Sequence, residues 1–185
     1  MNNTALKKSN VKISVQLVAA LISTALAVGV PQIFHIAGAA TGLGGAVGAV
    51  LLPMHLPVIA AGLFAGPVAG ALAGIFGPIA SFALTGMPTS QLLPFMVAEL
   101  CVYGAVAGAL KNVKVNSVVK IVAVQISGRL ARAAAVGAAA LIFGSKTPLV
   151  SVWNAVVEGL PGIALQWVLF PLLIFIVNKV KKYDE

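Results

Sequence analysis

The sequence predicts an all-α integral membrane protein: a six-transmembrane-helix bundle with N and C termini cytoplasmic. Three observations carry this expectation. Of 185 residues, 60% are hydrophobic and 9% charged, with a mean hydropathy of +1.06, more apolar surface than a soluble core of this size can bury. The apolar runs are long and do not alternate with polar residues, which argues against a transmembrane barrel. The lysines gather at the borders of those runs, in the clusters Lys7/Lys8/Lys12, Lys111/Lys114/Lys120 and Lys179/Lys181/Lys182, and the positive-inside rule places all three in the cytoplasm.

Taken in order, the first helix is expected over 12–30. Its apolar run, Ile13 to Val30, exceeds the roughly 7–15 residues of a secretory h-region, so it reads as a membrane helix despite the Ala25-Leu26-Ala27 within it. An external loop, rich in Gly and Ala, is expected over 31–45. Residues 36–86 contain no Lys, Arg, Asp or Glu. Because the first and second lysine clusters are both read as cytoplasmic, an even number of crossings must separate them, and this stretch must therefore cross twice. The turn is expected at Gly66-Pro67, where proline removes a helical hydrogen bond and glycine tolerates unusual dihedrals, giving helices over 46–65 and 67–84. Gly62, Gly66, Gly70 and Gly74, with Ala61, Ala65, Ala69 and Ala73, would also suit one unbroken helix with a small-residue face; parity favours two helices that share that face and pack closely as a hairpin. Helices over 90–110, 121–143 and 151–178 complete a single membrane domain, residues 1–185.

Much chemistry is excluded by what is missing. The net charge of +8 would suggest nucleic acid in a soluble chain, but cations at membrane borders need no such partner. Gly144-Ser145-Lys146-Thr147 has the wrong spacing for a nucleotide-binding Walker A loop. Metalloprotease and serine-hydrolase motifs are missing, and there are four carboxylates in all. The chain therefore does not read as an enzyme. Cys101 is the sole cysteine, so neither a disulfide nor a metal centre is expected, and it reads as a small packed hydrophobe.

Four ionisable residues fall inside expected helices: Glu99, Arg129, Arg132 and Glu158. An Asp, Lys or Arg at a helix centre costs about 2.5–3.5 kcal/mol on insertion scales, so such groups face the bundle interior and pair or bind. At roughly 1.5 Å per residue, Glu99, Glu158 and Arg132 lie about 12–16 Å below the outer surface and Arg129 deeper. Two acids and two bases at similar depth can meet, either as two structural ion pairs or as a polar cavity for a small polar or anionic solute. Arginine suits the second role because its planar fork grips a carboxylate through two hydrogen bonds. His55, within Pro53-Met54-His55-Leu56-Pro57, together with Tyr103, Trp153, Asn154 and Gln166, lies at compatible depth. Tyr103 and Trp153 equally suit interfacial or core positions.

The order of features, Leu52-Pro53-Met54-His55-Leu56-Pro57-Val58, Ala61-Gly62-Leu63, Gly66-Pro67, Leu84-Thr85-Gly86-Met87-Pro88, Glu99-Leu100 with Tyr103-Gly104, Gly128-Arg129 and Glu158-Gly159-Leu160-Pro161-Gly162-Ile163 with Gln166, resembles the substrate-binding S components of energy-coupling factor (ECF) vitamin transporters over nearly the whole chain. The resemblance implies a multi-pass subunit of a prokaryotic plasma membrane. It would capture a vitamin or precursor from outside and work with a transmembrane T subunit and two cytoplasmic ATPases. ATP would be used by those partners, with no cofactor in this chain. It further implies a lid over 31–52 with loops 85–90 and 144–150, which contain His35, Met87 and Lys146, and a docking face on the first helix, whose nearest match here is Ala19-x3-Ser23-x3-Ala27. The order looks most like the pantothenate branch, and a carboxylate ligand gives Arg129 or Arg132 a physical role. Riboflavin, folate or thiamine would ask for more aromatic surface.

The expected substrate-binding set is His55, Glu99, Tyr103, Arg129, Arg132, Asn154, Glu158 and Gln166. Two other readings stay open at this point. One is a stand-alone small secondary transporter or channel using Glu99 and Glu158 as proton or cation sites. The other is a structural membrane subunit without a ligand, whose buried charges only pair helices.

Overall fold

A computed structural model describes residues 11–42, 44, 46–145 and 147–183, and among them there is no strand. The sequence features at Lys7, Lys8, Lys146, Asp184 and Glu185 lie outside the described residues, as do the side chains of Lys181 and Lys182. The helices are α1 (Ile13–Ala40), α2 (Ala46–Leu51), α3 (His55–Ala60, continued by a π-helical turn at Ala61–Ala65), α4 (Pro67–Thr85), α5 (Leu93–Ala109), α6 (Ser117–Phe143), α7 (Val150–Glu158) and α8 (Leu160–Tyr183). Five stretches are long and apolar enough to span a membrane: α1, the composite Ala46–Ala65, α4, α6 and most of α8; α5 is a shorter apolar helix. Their outward faces stay apolar, with Leu21 73%, Leu141 89% and Phe143 82% exposed. That is the surface of a bundle whose solvent is lipid.

Glycine decides how closely α4 and α5 approach. A Cβ on Gly70 would collide with the Gly104 backbone, one on Gly104 with the Gly70 carbonyl, and one on Gly74 with the Leu100 carbonyl. The two antiparallel helices therefore meet backbone to backbone, the contact small residues permit in a membrane, where packing replaces the hydrophobic drive between helices. Gly62, on the preceding span, also faces the Gly104 carbonyl. The small-residue periodicity thus belongs to two helices that both lean on α5, and not only on one another. Between them the chain reverses at Gly66, whose φ of 131° is closed to other residues, and Pro67 opens α4.

That end of the bundle is tied by polar side chains. Gln16 accepts a 3.2 Å hydrogen bond from Val68 N, covering an N–H at the start of α4, and donates to Val11 O. Lys111 Nζ donates to Phe64 O at 2.8 Å, satisfying a carbonyl left at the end of the Ala46–Ala65 span, and Lys120 Nζ donates to Lys111 O. Ala27 meets Gly77 above them, so α1 and α4 run parallel.

Three boundaries differ from the sequence expectation. The external loop expected at 31–45 is helical to Ala40, with Pro31 buried inside α1; in an apolar bundle a proline kinks or locally loosens a helix without ending it, because neighbouring groups re-satisfy the freed carbonyl. The helix expected over 151–178 is two helices, separated at Gly159. Pro161, with no N–H to donate, is tolerated in the first turn of α8. The span 46–65 is interrupted at Leu52–Met54, where Leu52 adopts a left-handed φ of 51° before Pro53. Ser23 and Ala27 of the expected docking face are buried within the chain, at 8% and 0% exposure, and Ala19 packs against the core. The 3.6-residue turn puts all three on one face of α1, where Ala27 meets Gly77 of α4, and leaves the larger Leu21, Ile22 and Leu26 outside.

A Gly104→Leu variant is therefore expected to lose about 1–3 kcal/mol or more from overpacking, read as a lower unfolding temperature in detergent. Gly137→Ala, where nothing lies within 4 Å of the added Cβ, is expected to leave that temperature unchanged or slightly raised. Equal behaviour of the two would show that the α4–α5 approach is not limiting.

Candidate functional site

The site lies at the end of the bundle opposite Gln16 and Lys111, and each wall follows from a local feature of the chain. The break at Leu52–Met54 ends one helix inside the bundle and starts another with His55, whose first turn accommodates Pro57. Continuation of α1 past Pro31 carries His35 to the same level, with Gly48 packed against its ring. The loop after α4, through Met87, Pro88 and Thr89, forms another wall. Across from these stand Arg129 and Arg132 on α6, and Ala155 and Glu158 on α7. Together they enclose a cavity of about 250 Å³.

At its base Glu99 projects from α5 and is 1% exposed. Both arginines converge on it. Arg129 Nη1 lies 2.8 Å from Oε1 and Arg132 Nη1 2.9 Å from Oε2, with the arginine side chains 12% and 11% exposed. The two contacts are not equivalent. Arg132 makes an aligned hydrogen bond, whereas Oε1 is close to Arg129 without accepting one. Arg129 also reaches Ala155 O at 3.4 Å, and the Nε of each arginine is buried with no hydrogen-bond partner.

His55 completes the base. Its Nε2 is 3.9 Å from Glu99 Oε1, beyond a hydrogen bond, and neither ring nitrogen has a partner. Tyr103, 2% exposed, lies behind it with ring centroids 5.2 Å apart and planes tilted by 59°. Gly128 of α6 rests on the Tyr103 ring, where any side chain would collide, so α6 is brought close enough for its arginines to reach Glu99. The cluster of Glu99, Arg129 and Arg132 carries one positive charge more than it neutralises. An apolar interior tolerates that only with a counter-charge or solvent at hand, and buried unpartnered donors at a cavity wall are the groups an incoming solute can satisfy.

Of the residues expected at the site, His55, Arg129, Arg132 and Glu158 line the cavity and Glu99 anchors the arginines beneath it. Tyr103 supports His55 from outside the lining. The symmetrical arrangement of two acids with two bases does not form: Glu158 ends α7, none of whose residues is buried, so its carboxylate stays at the exposed rim. Asn154 and Trp153 point away from the cavity on that same helix and are exposed. Gln166 is buried elsewhere, accepting 2.9 Å from Gln125 Nε2, while Trp167 Nε1 donates to Gln125 Oε1 at 2.7 Å; this polar link holds α8 on α6. His35 and Met87 do line the cavity. Sequence reasoning missed Gln125 and also Ser81, which is 1% exposed and lines the cavity. Each is a polar side chain within an apolar run, the same signal that singled out Gln166.

A family model for the substrate-specific component of ECF transporters matches residues 11–174. No curated protein and no solved structure gives a significant match. The chain belongs to the substrate-specific components of ECF transporters, a family of membrane-embedded transporter subunits and not of enzymes.

Removing the carboxylate strands two guanidiniums. Glu99→Gln is expected to destabilise the fold by about 3–5 kcal/mol, seen as loss of monodisperse protein and a lower unfolding temperature, and adding Arg132→Gln is expected to recover part of that loss. A single variant as stable as the parent would mean that the cluster does not hold α5 and α6 together.

Proposed function

We propose that this ECF substrate-specific component captures a small carboxylate-bearing vitamin or vitamin precursor, with pantothenate the best candidate, and presents it for ATP-driven uptake. The observation that carries the reading is the excess positive charge of the cluster of Glu99, Arg129 and Arg132 at the wall of the cavity. A carboxylate supplies the missing counter-charge and can bridge guanidinium forks bidentately.

The rest of the lining supports the same class of solute. Among the described residues it has no Phe, Tyr or Trp, so they offer no stacking platform of the kind that large flat vitamins use. His35, His55, Ser81 and Thr89 provide donors and acceptors for hydroxyl and amide groups, and Leu52, Met54 and Met96 provide apolar contact for an aliphatic body. A volume of about 250 Å³ lies just under the usual range for small-molecule pockets, roughly 300–1,000 Å³, and favours a compact ligand. The stand-alone carrier reading finds less support, because Glu99 is committed to two arginines and the other acid, Glu158, is at the rim.

In this reading the lysine-rich end, with Lys12, Lys111 and Lys120, faces the cytoplasm, and the cavity opens to the outside of a prokaryotic plasma membrane. Docking on a transmembrane T subunit and two ATPases occurs at the cytoplasmic side, and ATP is consumed by those partners with no cofactor in this chain. With Ser23 and Ala27 turned inward, the first helix has to meet the T subunit through its exposed residues.

Native mass spectrometry of the detergent-purified chain is expected to show one bound solute of vitamin size without ATP or partners, and an empty preparation is expected to take up one pantothenate. A chain that stays empty against a panel of carboxylate-bearing vitamins contradicts the reading.

A further inference from the structure

We infer that the two arginines divide the work: Arg132 holds Glu99 in place, Arg129 is the group that meets the solute's carboxylate, and Glu158 at the rim opposes it. The cavity then selects by charge through one residue and is tuned by another. This inference rests on the carboxylate reading above and deepens it.

The bonding inventory separates the two arginines. Arg132 donates an aligned 2.9 Å hydrogen bond to Glu99 Oε2. Arg129 sits as close to Oε1, at 2.8 Å, but that oxygen accepts no aligned hydrogen bond. Its remaining contact is 3.4 Å, to the Ala155 carbonyl, longer than the 2.7–3.2 Å usual for such bonds. The Nε of both arginines lacks a partner, so the difference between them lies in their Nη contacts alone. Arg129 therefore gives up no aligned hydrogen bond to Glu99 on turning to a ligand, and the single Glu99 carboxylate leaves one positive charge over between the two arginines. A carboxylate that takes the Arg129 fork leaves the Glu99–Arg132 bond intact and makes the buried cluster neutral.

Glu158 lines the same cavity from α7, three residues beyond Ala155 and so on the same side of that helix. It is exposed and makes no ion pair among the described residues. Its negative charge at the mouth faces the same cavity as the incoming anion. A residue of this kind lowers affinity for the anion while hardly touching a neutral analogue, and its effect is modest because solvent screens the rim.

Calorimetric titration of the purified full chain with pantothenate and with its neutral alcohol, pantothenol, tests the division. The parent is expected to prefer the anion. Arg129→Gln is expected to lose about 10- to 100-fold in pantothenate affinity, the size of a charge-assisted hydrogen bond, while its pantothenol affinity changes little. Arg129→Lys, which keeps the charge and loses the fork, should fall between. Arg132→Gln should mainly lower the unfolding temperature, and Glu158→Gln should bind pantothenate about two- to fivefold more tightly. The inference is overturned if Arg129→Gln and Arg129→Lys, both folded, lose the two ligands equally or neither, or if Glu158→Gln weakens the anion. A folded parent that binds neither ligand contradicts the carboxylate reading itself, and a parent that binds both with no preference contradicts only the charge selection.

Discussion

A carboxylate at 1% exposure in an apolar bundle is stable only if its charge is met, and Glu99 is met twice, by guanidiniums 2.8 and 2.9 Å away. Much of the architecture follows from making that meeting possible. Long arginines on α6 reach α5 because Gly128 lets α6 settle on the Tyr103 ring, and α5 lies deep in the bundle because Gly70, Gly74 and Gly104 let α4 and α5 touch through their backbones. The small residues are thus the steric condition for an electrostatic cluster, and neither is useful alone. Two cations on one anion leave an imbalance of charge beside the cavity, and the proposed capture of an anion rests on that imbalance.

The two ends of the bundle are built differently. At the lysine end, backbone groups freed by the Gly66-Pro67 reversal are taken up by Gln16 and Lys111, and Lys120 donates to the Lys111 carbonyl after α5, so the helices are fastened to one another. At the cavity end the helices are broken at Leu52–Met54 and at Gly159, an irregularity that a membrane protein tolerates only where the freed groups are buried in protein or line a cavity. The short α7, with no buried residue, contributes the Ala155 carbonyl and the Glu158 carboxylate to the wall while remaining lightly held. Membership of a transporter family whose members bind substrate agrees with this polarity.

Much of the fold was legible in the sequence, because the cost of burying polar backbone and charge in lipid leaves few options for apolar runs of this length. The four ionisable residues could be picked out on the same ground. Their pairing could not, since depth along a helix is set by counting residues whereas partner choice depends on helix rotation and loop geometry. Glu158 was as good a partner as Glu99 on depth alone, and only the break at Gly159 and the exposed course of α7 separate them. The expected end of the first helix at residue 30 is likewise passed, since Pro31 is buried inside a helix that runs to Ala40. Gln166 is placed at the site by depth along its helix, whereas the structure pairs its amide oxygen with Gln125, another amide in an apolar helix.

The most direct test of the central claim is an experimental structure of the purified chain with its bound solute. The account predicts the solute's carboxylate on the Arg129 guanidinium, within hydrogen-bond distance, with the Glu99–Arg132 pair unbroken beneath it. A solute bound elsewhere in the bundle, or bound in this cavity with its charged group remote from both arginines, would contradict it.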